Sequence, residues 1–346
     1  MKELKKEHIK KILVIKLKGI GDVVLSTIVL ENLRSNFPDV EIDFLTEKPS
    51  LDVLRNINEI KNILVLNKDR IKDFINLIIK IRSEKYDLVM DLYTNPKTAQ
   101  ITFASGAKFR AGFPYKGRRY AYNLFGPPER DKFHAADLHL EFLKSIGLDI
   151  SSKNLLLGLA EEDKIFANNT LADIKKENKM LFCISPSGGW ESKKCDPVKF
   201  ASIAEDIQKK YDCSLFLLWG PGDKNEADEI KEVLKDKITL APPTTVGQMA
   251  AIIAKCDAVI ANDSGPMHIS TAVGTPTLSM HGPTDPLLQG PYGNKHEWIR
   301  LDSLECIGCN LLQCNRNHEC FLELPNSLIL QKFANLLNKN NLVQVS

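Results

Sequence analysis

Two turns in this sequence put carboxylates beside glycines, where a backbone can approach a ligand closely. The first is Lys16-Leu17-Lys18-Gly19-Ile20-Gly21-Asp22, which links an apolar run to a helical pattern. Its glycines allow a tight turn, and a helix start there presents unpaired N–H groups to an anion. Asp22 admits two readings: a helix N-cap, or a general base that takes the proton of an attacking hydroxyl. As a dinucleotide fingerprint the turn is incomplete. Val24 stands where the third glycine of G-x-G-x-x-G belongs, and the acid expected roughly 20 residues on, Asp43, falls inside a strand. Both facts weigh against a nicotinamide-dependent oxidoreductase.

The second turn is Asn262-Asp263-Ser264-Gly265-Pro266-Met267-His268, between a strand and a helix expected to run through Ala272. Ser264 or Asp263 can cap that helix, Gly265 admits close approach, and Pro266 suits a first turn. A strand–turn–helix needs a cap and a glycine in any case. The continuation, Gly274-Thr275-Pro276 and then His281-Gly282-Pro283-Thr284-Asp285-Pro286, adds a polar, proline-rich loop at another strand end and favours a binding role.

Two further clusters carry chemistry. Between residues 108 and 132 stand Lys108, Arg110, Lys116, Arg118, Arg119, Arg130 and Lys132 against only Glu129 and Asp131, interleaved with Phe109, Phe113, Tyr115, Tyr120 and Tyr122. Such a run is either a solvated face or a patch for a phosphorylated or carboxylated glycolipid at an anionic membrane surface. Near the C-terminus Cys306, Cys309, Cys314 and Cys320 lie close together with His318. Reduced thiols packing a loop, a structural zinc and disulfides all remain open, since the second pair is spaced more widely than a standard C-x-x-C pair.

Repeated strand–helix–strand units must position these residues. Apolar runs at 12–17, 40–45, 63–66 and 88–92 alternate with helical spacing, including a helix over 23–34 and one over 71–82 whose buried face is read as Ile71, Phe74, Ile75, Ile78 and Ile79. The alternation loosens in a polar stretch at 168–179. It restarts with strands at 181–185, 215–219, 258–261 and 277–280 and helices near 198–209, 226–234 and 247–255. The expectation is an α/β chain of two facing Rossmann-like domains with parallel sheets, 1–165 and 166–325, closed by a helix within 326–346 that packs back toward the first domain. Strand carboxyl ends lining an interdomain cleft would hold the ligands.

With 346 residues, 43% of them hydrophobic, the chain is long enough for two cores. A formal net charge of +2 gives no bulk field for nucleic acid. No apolar run approaches the roughly 18 residues of a membrane span. The basic N-terminus precedes an apolar run broken by Lys16 and lacking a cleavage site, so it reads as a first strand rather than a signal peptide. Eight cysteines without an export signal point to the cytoplasm.

Taken together, residues 11–22, 262–276 and 282–291 resemble glycosyltransferase family nine, the ADP-heptose:lipopolysaccharide heptosyltransferases. The resemblance implies the GT-B architecture, inversion at the anomeric centre and a chemical step that needs no metal. It implies Asp22 as catalytic base and Lys194, in Ser185-Pro186-Ser187-Gly188-Gly189-Trp190-Glu191-Ser192-Lys193-Lys194-Cys195-Asp196-Pro197, as the phosphate-binding lysine. Asp196 replaces the family's usual aromatic residue before the proline, and Lys193 is the alternative one position away. The donor site would comprise Ser187, Gly188, Lys194 and Asp263, Ser264, Gly265, Pro266, Met267 and His268, with Glu226 or Asp223 on the ribose. The acceptor would meet Lys18, Arg118, Arg119 and His134, a histidine the family often has at a helix start. The implied partners are an ADP-sugar, a lipopolysaccharide core acceptor of the lipid A–Kdo type and, peripherally, the inner face of the inner membrane. The alternatives are a GT-B nucleotide-sugar epimerase or hydrolase, which would act without an acceptor, and a non-catalytic nucleotide-sugar-binding protein, against which Asp22 and Lys194 argue.

Overall fold

The computed structural model describes Leu4 and residues 6–67, 70–174 and 179–343. It divides into two units, Met1–Gly158 and Leu159–Ser346. In the first, β1 (Lys11–Ile15), β2 (Glu41–Thr46), β3 (Asn62–Val65), β4 (Leu88–Asp91), β5 (Phe109–Gly112) and β6 (Leu124–Phe125) form a parallel sheet in the order β3-β2-β1-β4-β5-β6. In the second, β7 (Met180–Ser185), β8 (Cys213–Leu217), β9 (Thr239–Leu240), β10 (Ala258–Asn262), β11 (Thr277–Met280) and β12 (Glu297–Ile299) run β12-β11-β10-β7-β8-β9, again all parallel. Taken in chain order within each unit, the two sheets have the same topology, that of the dinucleotide-binding fold.

The central strands are unbroken apolar runs because helices cover both their faces. Val14 of β1 is wholly buried between Phe44 and Met90 of its neighbours. The strands missed by periodicity are β5, β6, β9 and β12. β6, β9 and β12 are only two or three residues long, too short for a pattern to register, and Arg110 and Gly112 break the apolar run of β5.

Several expected boundaries are corrected. The helix expected over 23–34 is two, Ile20–Ser26 and Val29–Asn36. The Ser26 and Thr27 hydroxyls donate back to the carbonyls of Val23 and Val24, each at 2.7 Å, which competes with helix continuation. A domain boundary at 165 would cut the helix Glu161–Leu171, which packs on Val246–Ile253 and belongs wholly to the second unit. Part of the expected polar boundary, 175–178, lies outside the described residues, as do 344–346.

The closing helix Asn326–Lys339, expected to reach toward the first unit, buries Ile329, Phe333, Leu336 and Leu337 in the second unit's core. Phe333 stands edge-on to Phe182 at 5.0 Å between centroids. The helix Ile71–Ser83 buries Leu77 and Ile81, with Phe74 and Ile78 partly covered, while Ile71, Ile75 and Ile79 are exposed by 80%, 49% and 61%. Apolar residues lie on more than one side of this helix, so spacing alone selected the wrong stripe. Among the described residues no helix is long and apolar enough to cross a membrane.

Candidate active site

In both sheets the chain reverses its direction of winding at the central pair, β1 with β4 and β7 with β10, so the loops leaving those strands splay apart and open room for a ligand. These are the loops that carry the two carboxylate turns.

In the first unit the loop after β1 enters its helix at Ile20, and the N-cap position is Gly19, without a side-chain cap. Asp22 is therefore a first-turn residue and not the N-cap, a position where the helix dipole favours negative charge. A Cβ on Gly19 would come within 2.9 Å of Asp22 Oδ2, so glycine leaves the carboxylate its place. Lys18, exposed, takes a left-handed φ of 66° in the same turn. Lys16 Nζ lies 3.3 Å from Asp22 Oδ1, the lysine almost sealed and the carboxylate 55% exposed. Burial pulls the Lys16 ammonium below its ordinary pKa, Asp22 pulls it back up, and Arg130 pushes it down again. The buried lysine is thus held up chiefly by one solvent-facing carboxylate, with Asp91 adding to the pull. At the end of β4, Asp91 has a different role: wholly buried, it accepts the Thr94 N–H at 2.7 Å and the Tyr122 hydroxyl at 2.7 Å and shapes that turn.

In the second unit Ser264 is the N-cap of the helix Gly265–Ala272, yet its hydroxyl donates to Asn262 O and no side chain caps the helix. Asp263, just before it, holds Lys193 Nζ at 2.7 Å and accepts the Thr284 hydroxyl at 2.5 Å. Burial opposes charge on Asp263, but His281, Lys193 and His268 outweigh it and hold the carboxyl below its ordinary range. His281 is itself pushed down to about 4, chiefly by burial, while Lys193 lies in direct contact with the carboxylate. The Lys193 ammonium also lies 4.3 Å from the centroid of Trp190.

Lys194 points elsewhere, to Asp223 at 3.0 Å and to Glu226. Burial lowers its pKa, but the bonds from Glu226 and Asp223 more than offset this and raise it. Gly188 packs against the Lys194 stem, where a Cβ would meet Cγ at 2.6 Å. Ser187 and His268 are nearly buried, Met267 is wholly so, and Gly265 and Pro266 are half-exposed.

The basic stretch is not a uniform solvated face. Arg118 donates to Thr94 O and lies 4.7 Å from the Tyr115 centroid, while Arg130 lies 5.3 Å from that ring and 4.4 Å from Phe113. Arg119 lies 5.0 Å from Phe125. His134 is the N-cap of the helix Ala135–Ser145, its Nδ1 accepting the Ala136 N–H at 3.1 Å.

Of the three readings open for the cysteine cluster, the described side chains show free thiols, and among the described residues no three His, Cys, Asp or Glu side chains are placed to hold a metal. Cys306, Cys309, Cys314 and Cys320 are free thiols. Cys314 Sγ accepts the N–H groups of Arg316 and His318, and His318 Nε2 lies 2.7 Å from Glu191. Burial and the other three sulfurs push the Cys320 thiol up to about 12.

The sequence model of glycosyltransferase family 9 (heptosyltransferase) matches residues 74–318. The chain belongs to that family. The match takes in the whole second-unit site but begins after Asp22. Among curated relatives, the lipopolysaccharide core heptosyltransferase OpsX of Haemophilus influenzae is 25% identical over 82% of both chains. Lipooligosaccharide heptosyltransferase 2 of Campylobacter jejuni is 24% identical, covering 93% of this chain and 97% of its own. A solved structure, E. coli ADP-heptose lps heptosyltransferase II, shares the fold with a TM-score of 0.79 at 20% identity, over 96% of this chain and 99% of its own. The expected α/β, GT-B-like fold and the transferase class are thereby established, and the oxidoreductase reading falls.

Four residues matter more to the two turns than their types and spacing indicate. Lys16 and Lys193 lay within the quoted motifs, but nothing in a lysine's type or spacing signals its burial. Thr284 sat in the proline-rich loop. Arg130 was counted as patch charge, though its Nε is buried with no hydrogen-bond partner.

Proposed function

We propose that this family 9 transferase moves a heptose, or a closely related sugar, from an ADP-sugar to a lipopolysaccharide inner-core acceptor of the lipid A–Kdo type, with inversion, working peripherally at the inner membrane face. The observation that carries the reading is the pair of adjacent lysines beside an uncapped helix start: Lys193 on Asp263 and Lys194 on Asp223 and Glu226. Lipopolysaccharide and heptose transfer are named for the curated relatives, and ADP-heptose is named for the solved E. coli heptosyltransferase II.

In this reading Asp22 accepts the proton of the attacking acceptor hydroxyl while the bond from the anomeric carbon to the diphosphate oxygen breaks and the new glycosidic bond forms on the opposite face. Negative charge grows on the diphosphate. Lys194 and the helix N–H groups meet it, strongly because donors fixed in place need no reorganisation. In the same reading Lys193 holds Asp263 beside the donor, and Glu226 binds a ribose hydroxyl. The step asks for no metal, since fixed cations and dipoles supply the counter-charge.

The test is a panel of ADP- and UDP-sugars scored for thermal stabilisation, since a ligand that binds only the folded state raises its stability. A transfer assay on a Kdo-bearing acceptor, with the product anomer assigned by NMR, follows. Stabilisation by UDP-sugars alone, or sugar release that ignores the acceptor, would overturn the reading.

A further inference from the structure

The helix Ile71–Ser83 leaves Ile71, Ile75 and Ile79 facing solvent at spacings of four residues, which makes them one continuous stripe. Exposed isoleucines in such a row are unusual on a soluble surface, and contiguous apolar patches mark interaction sites. Lys72 is exposed at its edge, Lys80 is exposed further round the same helix, and Arg82 lies in the stripe by helical period. From there Arg82 Nη1 donates to Ala104 O at 3.1 Å, which ties the stripe to the end of the helix Pro96–Ala104. Phe103 on that helix is 54% exposed and stands edge-on to Tyr120, itself 55% exposed, at 5.7 Å. The nearby acids are engaged: Asp73 accepts from Asn67 at 2.9 Å, and Glu84 pairs with Lys11.

We infer that this face of the first unit, the isoleucine stripe continued by Phe103 and Tyr120, docks on an anionic lipid surface. The apolar side chains would enter the headgroup boundary while Lys72, Lys80 and Arg82 meet lipid phosphates, as in amphipathic helices that lie in a membrane interface. Charge decides against a second copy as the occupant. A two-fold contact through the stripe would set its basic rim against an identical basic rim, whereas an anionic bilayer complements it. The inference deepens the proposal that the acceptor is a glycolipid, and it names the surface that would bring the enzyme to it.

The experiment is sedimentation of the full chain with vesicles of phosphatidylcholine alone or with phosphatidylglycerol added. The parent should bind the mixed vesicles and not the neutral ones. The triple variant Ile71→Ser, Ile75→Ser, Ile79→Ser should lose about tenfold or more in partition. Lys72→Glu with Lys80→Glu, which leaves the apolar residues in place, should weaken binding chiefly at low salt. Transfer to a lipid-free acceptor should be unchanged in all three proteins, and this separates the docking surface from the chemistry. Failure of the parent to bind anionic vesicles, full retention of binding by both variants, or a dimer in light scattering that the serine variant dissolves would each overturn the inference.

Discussion

Lys193 Nζ lies 2.7 Å from Asp263 Oδ2, with the lysine side chain 11% exposed and the carboxylate 5%. An ion pair so enclosed cannot lose one member cheaply, because the survivor stays buried with its charge. Lys193→Met should therefore destabilise the fold by about 3 kcal/mol in urea titrations. The double variant with Asp263→Asn should recover much of that loss, since it removes the second charge as well. Equal stability of Lys193→Met and the parent would mean that solvent already screens the pair.

Lys194, only one residue further on, is predicted to behave differently. Its partners Asp223 and Glu226 are less enclosed, so Lys194→Ala should leave stability nearly unchanged. Its loss should lower kcat by about ten- to a hundredfold, the worth of one charge-assisted hydrogen bond to the leaving group. Steady-state kinetics beside a melting curve separate the two lysines. If Lys193→Met lowers kcat as much without destabilising, the roles are reversed.

These two lysines show where the sequence was legible and where it was not. The alternation of apolar runs located four strands of each sheet, and with them the loops that carry both carboxylate turns. Whether Lys193 or Lys194 faces Asp263 depends on a single 3-10 turn, Glu191–Lys193, and no periodicity reports on one turn. The helix Ile71–Ser83 failed differently. Its existence was evident, but its buried side is decided by the sheet it packs on, through Leu77 and Ile81. The ion pair of Asp22 with Lys16 was hidden for a third reason: Lys16 sits next to the apolar run of β1, where burial gives no sign in the residue type.

Asp22 provides the sharpest chemical prediction. Asp22→Asn keeps the size of the side chain and most of its hydrogen bonding but removes the base, so kcat should fall by about 10²- to 10⁴-fold. Donor stabilisation in a thermal shift should persist, because the donor groups belong to the other unit. Lys16 should remain buried but lose its counter-ion, so a modest fall in melting temperature should accompany the kinetic loss. Transfer at the parental rate would remove Asp22 from the mechanism.

Stability should also depend on acid in a specific window. His296 is nearly buried, its Nδ1 has no hydrogen-bond partner, and burial, with Lys295 and Lys339 nearby, pushes its pKa from 6.5 to about 4. Between those values the unfolded chain binds a proton that the folded one refuses, so stability must fall as pH drops from 6.5 toward 4 and level off below. The contribution of such a group is on the order of 3 kcal/mol across the window. His281, pushed down to about 4 in the same way, adds to the slope but is entangled with Asp263, so His296 gives the cleaner test. His296→Gln, which cannot take up the proton, should flatten the dependence of unfolding free energy on pH between 6.5 and 4 by its share. An unchanged slope in that variant would show that His296 is protonated in the folded protein.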